Sequence, residues 1–216
     1  MRSSNASRRA FLAATAALVA AGGARAQTAA PAETVPMMKL MAPAPLPDIV
    51  EGKADAPVTV IEYASMTCPH CARFHNDVYP AFKAKYVDTG KAKFILREFP
   101  LDPLATAGFM LARCQGPAKR DAMVDLLFEK QDQWAYVDKP IEALQGLVKQ
   151  AGVSQSDFET CLKNQDLLTQ VNGLRDAAGK DLNIDATPTF FFNGVKHTGE
   201  VSLDEMDKII APMLKS

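Results

Sequence analysis

Val58-Thr59-Val60-Ile61-Glu62-Tyr63-Ala64 is a β-branched and aromatic run, and four residues beyond its end begins Cys68-Pro69-His70-Cys71. Apolar side chains on both faces suit a strand covered on both sides, in the middle of a sheet. Beyond the motif, Phe74, Val78, Phe82 and Tyr86 recur at every fourth position, which is one face of a helix. Pro80 falls inside that helix and predicts a kink, because it has no N–H to donate. Residues 92–99, with Phe94 and Leu96 alternating, predict the next strand. Strand, helix and strand make one βαβ unit.

The two cysteines of the motif fall where a strand turns into a helix. Cys68 then sits at the helix N-terminus, where unpaired amides and the helix dipole favour an anion. His70 adds positive charge or a hydrogen-bond donor, and both effects lower the thiol pKa. A thiol lowered to about 4 would stabilise the reduced form at pH 7 by ~4 kcal/mol. For a two-electron couple that is on the order of 90 mV toward a more oxidising disulfide. The alternative is half a zinc site with His75 as third ligand. A closed site needs a fourth ligand, and no second Cys-x-x-Cys exists in the chain. Redox chemistry is the better fit, with no metal and no cofactor expected.

From Asp102-Pro103 to Gly179 the apolar period is helical. Asp102 can cap the first helix with Pro103 inside it. Leu104, Ala107, Leu111 and Cys114 share one face, and Phe158, Cys161 and Leu162 follow a Ser154/Asp157 cap. Strand character returns at Thr189-Phe190-Phe191-Phe192, followed by Asn193-Gly194, a type I′ hairpin signal. Ser202-x-x-Glu205 then opens a last helix with Leu203, Met206, Ile209, Ile210 and Met213 inward. Cys114 and Cys161 read either as buried thiols or as a structural disulfide. As a disulfide they close a loop of roughly 48 residues, worth on the order of 4 kcal/mol in the chain-entropy model.

Residues 1–26 contain four Arg and no acid, an Ala/Leu/Val run, and Ala24-Arg25-Ala26 as a small-x-small exit. This predicts a cleavable export signal, and Ser7-Arg8-Arg9-Ala10-Phe11-Leu12 gives it a twin-arginine character. Residues 27–47, with five prolines among small residues, predict a semi-extended, solvated leader, with docking of Met37, Met38, Leu40 and Met41 onto the body as the alternative. The remaining 190 residues carry 20 basic and 25 acidic side chains. That balance argues against nucleic-acid binding, which needs clustered positive charge. No apolar run is long enough to span a bilayer. An exported chain reaches an oxidising compartment, the periplasm, where disulfides persist.

Three segments together resemble the DsbA family of periplasmic thiol–disulfide oxidoreductases. They are Val60 through Cys71, the Arg97-Glu98-Phe99-Pro100 strand exit, and Ala186-Thr187-Pro188-Thr189 through Gly194. The resemblance implies an α/β thioredoxin fold with an inserted all-helical domain, in keeping with the element order read above. On that division residues 48–101 and 180–216 form the thioredoxin-fold domain and 102–179 the insertion. It also implies that Cys68 is the nucleophile and Cys71 its buried partner, with Pro69 and His70 between them. Pro188 matches the family's cis-proline, and Thr187 before it would expose backbone groups to an extended substrate chain. Glu62 matches an acid that exchanges a proton with Cys71; the alternative is a solvated or salt-bridged edge acid, paired with Arg97.

The resulting expectation is an exported, monomeric dithiol oxidase. It would donate the Cys68–Cys71 disulfide to thiols of unfolded exported proteins and be re-oxidised by a quinone-linked membrane partner of DsbB type. A reductase or isomerase of the same fold is the runner-up, since Thr187 suits it as well. Isomerases of this fold carry a separate dimerisation domain, which a leader of about 20 residues does not supply. A zinc-binding or chaperone module is a third reading.

Overall fold

Strand β2 (Val58–Ala64) is buried at every position and lies at the centre of a five-stranded mixed sheet. The computed structural model describes residues 33–215. The other strands are β1 (Val50–Glu51), β3 (Ala92–Glu98), β4 (Thr189–Phe192) and β5 (Val195–Thr198), in the order β1-β3-β2-β4-β5. β2 and β3 run parallel, with Val58 opposite Ala92 and Ala64 opposite Glu98, as a βαβ unit requires. β4 pairs antiparallel with β2 and β5 with β4. Asn193 and Gly194, both at positive φ, make the hairpin turn between β4 and β5.

The two-residue period sorts the sheet's side chains into two cores. Val60, Ala64, Phe94, Leu96, Phe190 and Phe192 belong to the larger one, which includes the motif helix and the helices between β3 and β4. Ile61, Tyr63, Ile95 and Phe191 belong to the other.

The leader does not behave as the composition suggests. Thr34 bridges Val195, and the Val35 amide donates to the Gly194 carbonyl at 2.8 Å. A short helix, α1 (Met37–Leu40), buries Leu40 to 1% exposure. The solvated-tail expectation for residues 27–47 is therefore corrected for residues 33–47. The sheet's second face needs cover for Ile61, Ile95 and Phe191, and Val35 and Leu40 provide part of it. Gly194 fits this docking in two ways. Its φ is 94°, and a Cβ there would lie 2.3 Å from the Val35 carbonyl oxygen. The export-signal expectation for residues 1–26 lies outside the described residues.

After β2 the chain forms α2 (Pro69–Arg73), a π turn (Phe74–Val78), α3 (Tyr79–Phe82) and a second π turn (Lys83–Val87). Pro80 has no N–H for the carbonyl one turn back, and the ladder widens into π turns on either side of it. Six helices follow β3: α4 (Pro103–Cys114), α5 (Pro117–Glu129), α6 (Gln131–Trp134), α7 (Pro140–Gln150), α8 (Gln155–Leu162) and α9 (Gln165–Leu182). Asp102 caps α4 by accepting from the Ala105 amide at 2.8 Å. The last helix, α10 (Leu203–Met213), opens with the complete Ser202/Glu205 capping box.

Candidate active site

Cys68 is the N-cap of α2, in extended conformation, and Pro69 opens the helix. The Cys68 carbonyl accepts from the Ala72 amide at 3.1 Å, the first hydrogen bond of the turn. Cys68 and Cys71 are unbonded to each other; Cys68 is 5% exposed and Cys71 fully buried. The antiparallel pairing of β4 on β2, Tyr63 opposite Thr189, carries the preceding loop over the motif. There the Thr187–Pro188 peptide bond is cis. The Cys68 thiol donates to the Thr187 carbonyl oxygen at 3.2 Å.

The two thiols are electrostatically unequal. Cys68 is lowered to about 6, chiefly because Cys71 offers its hydrogen to the sulfur. Burial opposes this, and the Thr187 side chain and the amides of the helix start add to it. The Thr187 hydroxyl is otherwise buried without a partner in full hydrogen-bond geometry. Cys71 is held well above the ordinary thiol range by burial first, then by its hydrogen bond to Cys68 and the negative charge of Glu62. One sulfur is set to be the anion, the other to keep its proton.

His70 is half-exposed, with Nδ1 at 2.7 Å from Glu200 Oε1 and 2.9 Å from Arg73 Nη2. One ring nitrogen cannot donate to the acid and accept from the guanidinium at once, so the tautomer chooses between them. Arg73 also pairs directly with Glu200 and is the main reason that the Glu200 carboxyl is lowered. Below the motif, the buried Gln131 amide donates to the Met66 and Cys68 carbonyls at 2.8 and 3.0 Å. The Tyr136 hydroxyl donates to the Thr67 carbonyl.

Glu62 is fully buried, and its Oε2 lies 2.8 Å from His75 Nε2. Arg97 is not its partner. In the β2–β3 register Arg97 stands opposite Tyr63, and its guanidinium binds Asp48 and the Tyr63 hydroxyl. His75 likewise turns to Glu62, so it is no third ligand beside the cysteines. Among the described residues no three His, Cys, Asp or Glu side chains are grouped to hold a metal ion. Cys114 of α4 and Cys161 of α8 are joined by a disulfide, with Cα atoms 6.1 Å apart.

Comparison with known proteins places this geometry. Residues 46–211 match the family described as thioredoxin. The crystal structure of α-DsbA1 from Wolbachia pipientis superposes with a TM-score of 0.74 at 32% identity, over 82% of this chain and 95% of that one. The chain belongs to the DsbA family. Oxidised BdbD from Bacillus subtilis, a second structural match, has a TM-score of 0.69 and 25% identity, over 86% of this chain and 99% of that one. A Rickettsia conorii protein described as a protein-disulfide oxidoreductase is 33% identical over 169 residues, which are 78% of this chain and 61% of that protein. The chain thus spans less than two thirds of that curated relative. As in other DsbA-type structures, the thioredoxin fold here carries inserted helices.

Several residues around the DsbA-type motif were not singled out for it from sequence. His75 had a readable sign, since it follows Cys71 by four positions and so shares its helix face. In sequence that spacing suggests a metal ligand as readily as a partner for Glu62. Gln131, Tyr136 and Glu200 are 63, 69 and 130 positions from the atoms they contact. No local pattern connects residues so far apart.

Proposed function

We propose that the chain is an exported protein-disulfide oxidoreductase that donates a Cys68–Cys71 disulfide to thiols of unfolded exported proteins. The observation that carries this is the opposed setting of two adjacent sulfurs, Cys68 lowered to about 6 and Cys71 raised, beside the Thr187 backbone. A substrate thiolate attacks Cys68 Sγ; the Cys68–Cys71 bond breaks, and Cys71 leaves with the electron pair and takes a proton. The substrate's second thiolate then attacks its own sulfur in the mixed disulfide and expels Cys68 as a thiolate. Two electrons have passed to the enzyme, and the substrate is oxidised. A low Cys68 pKa makes that last departure fast. The Thr187–Pro188 backbone offers an edge for an extended substrate segment.

The strength of the oxidant is a separate matter. At pH 7, a thiol moved from 9.0 to about 6 stabilises the reduced form by about one decade, ~1 kcal/mol. That is roughly 30 mV, short of the 90 mV expected for a thiol near 4. This smaller effect favours keeping a reductase or isomerase as the second reading. Export by a twin-arginine signal, residence in the periplasm, a monomeric state and re-oxidation by a quinone-linked membrane partner belong to the same proposal. So does the division into a thioredoxin domain (48–101, 180–216) and an insertion (102–179). No helix among the described residues is long and apolar enough to cross a membrane.

Oxidised protein mixed with a synthetic dithiol peptide tests the reading. The wild type is expected to oxidise one peptide per enzyme. Cys71→Ser, joined through Cys68 to a peptide whose second cysteine is replaced by serine, is expected to keep its mixed disulfide, since neither side then has a thiol to resolve it. Cys68→Ser is expected to transfer nothing. A Cys68→Ser variant as active as wild type would contradict the proposal.

A further inference from the structure

The Glu62–His75 pair is almost wholly buried behind the motif, at 0% and 3% side-chain exposure. The two come from different elements. Glu62 lies in β2 on the face toward the motif helix, and His75 lies one turn after Cys71. Nε2 of His75 meets Oε2 of Glu62 at 2.8 Å, while Oε1 of Glu62 is buried with no partner at all. A buried carboxylate oxygen without a donor is costly unless something uses it.

The surroundings fix His75 in this pose. Its ring stacks on Phe128 of α5, centroids 4.4 Å apart and planes 20° from parallel, and meets Phe74 and Tyr79 as well. The packing limits rotation of the imidazole away from Glu62. Asp125, from α5, is a further acid that feels the His75 ring. Nε2 carries a hydrogen in the imidazolium and in one of the two neutral tautomers, and either form can donate it to Oε2. Without that donor neither oxygen of the buried Glu62 would have a partner, and nothing would fix which of the two is left open.

We propose that His75 is the positioning residue for proton exchange at Cys71: it holds Glu62 by Oε2 and leaves Oε1 free to take the Cys71 proton. This rests on the oxidoreductase reading. When a mixed disulfide at Cys68 is resolved, the Cys71 thiol gives its proton to Glu62 Oε1. Its sulfur bonds to Cys68 Sγ, and the outgoing thiolate leaves with the electron pair of the broken bond. In the donating direction the same proton returns from Glu62 to the departing Cys71. Glu62 thus takes the proton when Cys71 attacks and returns it when Cys71 departs, and the His75 contact leaves Oε1 unengaged for both.

Rapid-quench kinetics separate this role from a merely structural one. Reduced full-length protein is mixed with glutathione disulfide and quenched in acid. Reduced, mixed-disulfide and oxidised forms are then resolved, which gives the rate of formation at Cys68 and the rate of collapse through Cys71. His75→Leu is expected to slow collapse by roughly tenfold, less than the ~10²-fold of a lost general base because Glu62 remains, with formation unchanged. His75→Gln, which keeps an N–H in the Nε2 position, is expected to collapse near the wild-type rate. Collapse at the wild-type rate in His75→Leu would overturn the proposal. So would formation and collapse slowed alike, or a His75→Gln as slow as His75→Leu. A wild type that yields neither mixed disulfide nor oxidised protein would overturn the oxidoreductase reading itself.

Discussion

Glu62 and Glu98 are both fully buried carboxylates, on adjacent parallel strands, and they are treated in opposite ways. Glu98 accepts from Arg113 Nε and Nη2 at 2.7 and 3.0 Å and from Arg120 Nη2 at 3.0 Å. Burial alone would raise its carboxyl, but Arg120 and Arg113 outweigh that and hold it below the usual range. Glu62 has one neighbour, His75, and one oxygen left bare. A saturated acid ties the strand to the helices that follow it, since Arg113 is in α4 and Arg120 in α5. The unsaturated one is the acid whose charge Cys71 feels, and on the proposal above its open oxygen serves that thiol. Burial does not tell structure from chemistry here; the count of satisfied oxygens does.

Glu98→Gln should therefore be the most damaging change. It leaves two guanidinium groups short of their counter-charge, and a broken buried ion pair costs about 3–5 kcal/mol. Urea unfolding would measure this. The pH dependence follows from the same contact. The folded carboxyl lies below the unfolded value, about 4.3 for Glu. The stabilisation is accordingly complete above that value and is lost as pH falls through the folded pKa. Wild-type stability should drop along this acid limb, and Glu98→Gln should lack that part of the drop.

Removing the Cys114–Cys161 bridge by a double Ala substitution should cost on the order of 4 kcal/mol for a loop of that length. It loosens the helices that saturate Glu98, yet it should leave the rate of peptide oxidation within about twofold, a change under ~1 kcal/mol. A large loss of activity would show that the two regions are coupled and blur the contrast between the acids. The smallest stability change is expected for Glu62→Gln, under about 1 kcal/mol, because a neutral amide is less costly to bury than a carboxylate. Its signature should be kinetic instead, with the mixed disulfide at Cys68 accumulating. If Glu62→Gln destabilised as much as Glu98→Gln, Glu62 would be a structural acid after all.

Much of this was readable in the chain. β2 and the motif helix came from an apolar run followed by a four-residue period. The caps at Asp102 and Ser202 and the Asn193-Gly194 turn carry chemistry that is local to a few residues. The same is true of Cys68 and Cys71, whose ring closes within one turn. What was not readable depended on distant partners. Val35 and Leu40 look like any small apolar residues among prolines until Ile61, Ile95 and Phe191 present a face that needs covering. Glu62 could be placed in a strand, but whether it met Arg97 or His75 turned on which side of the sheet each residue faced. Register settles that: Arg97 stands beside Tyr63, on the opposite face from Glu62.

The redox equilibrium of the reduced and oxidised protein against glutathione buffers tests the disulfide-donor reading most directly, with the Cys114/Cys161 double Ala variant as control. The account expects a potential less negative than about −200 mV, in both proteins, so that the Cys68–Cys71 disulfide is readily given away. A value near −270 mV, where thioredoxin lies, would contradict disulfide donation and make the chain a reductase or isomerase.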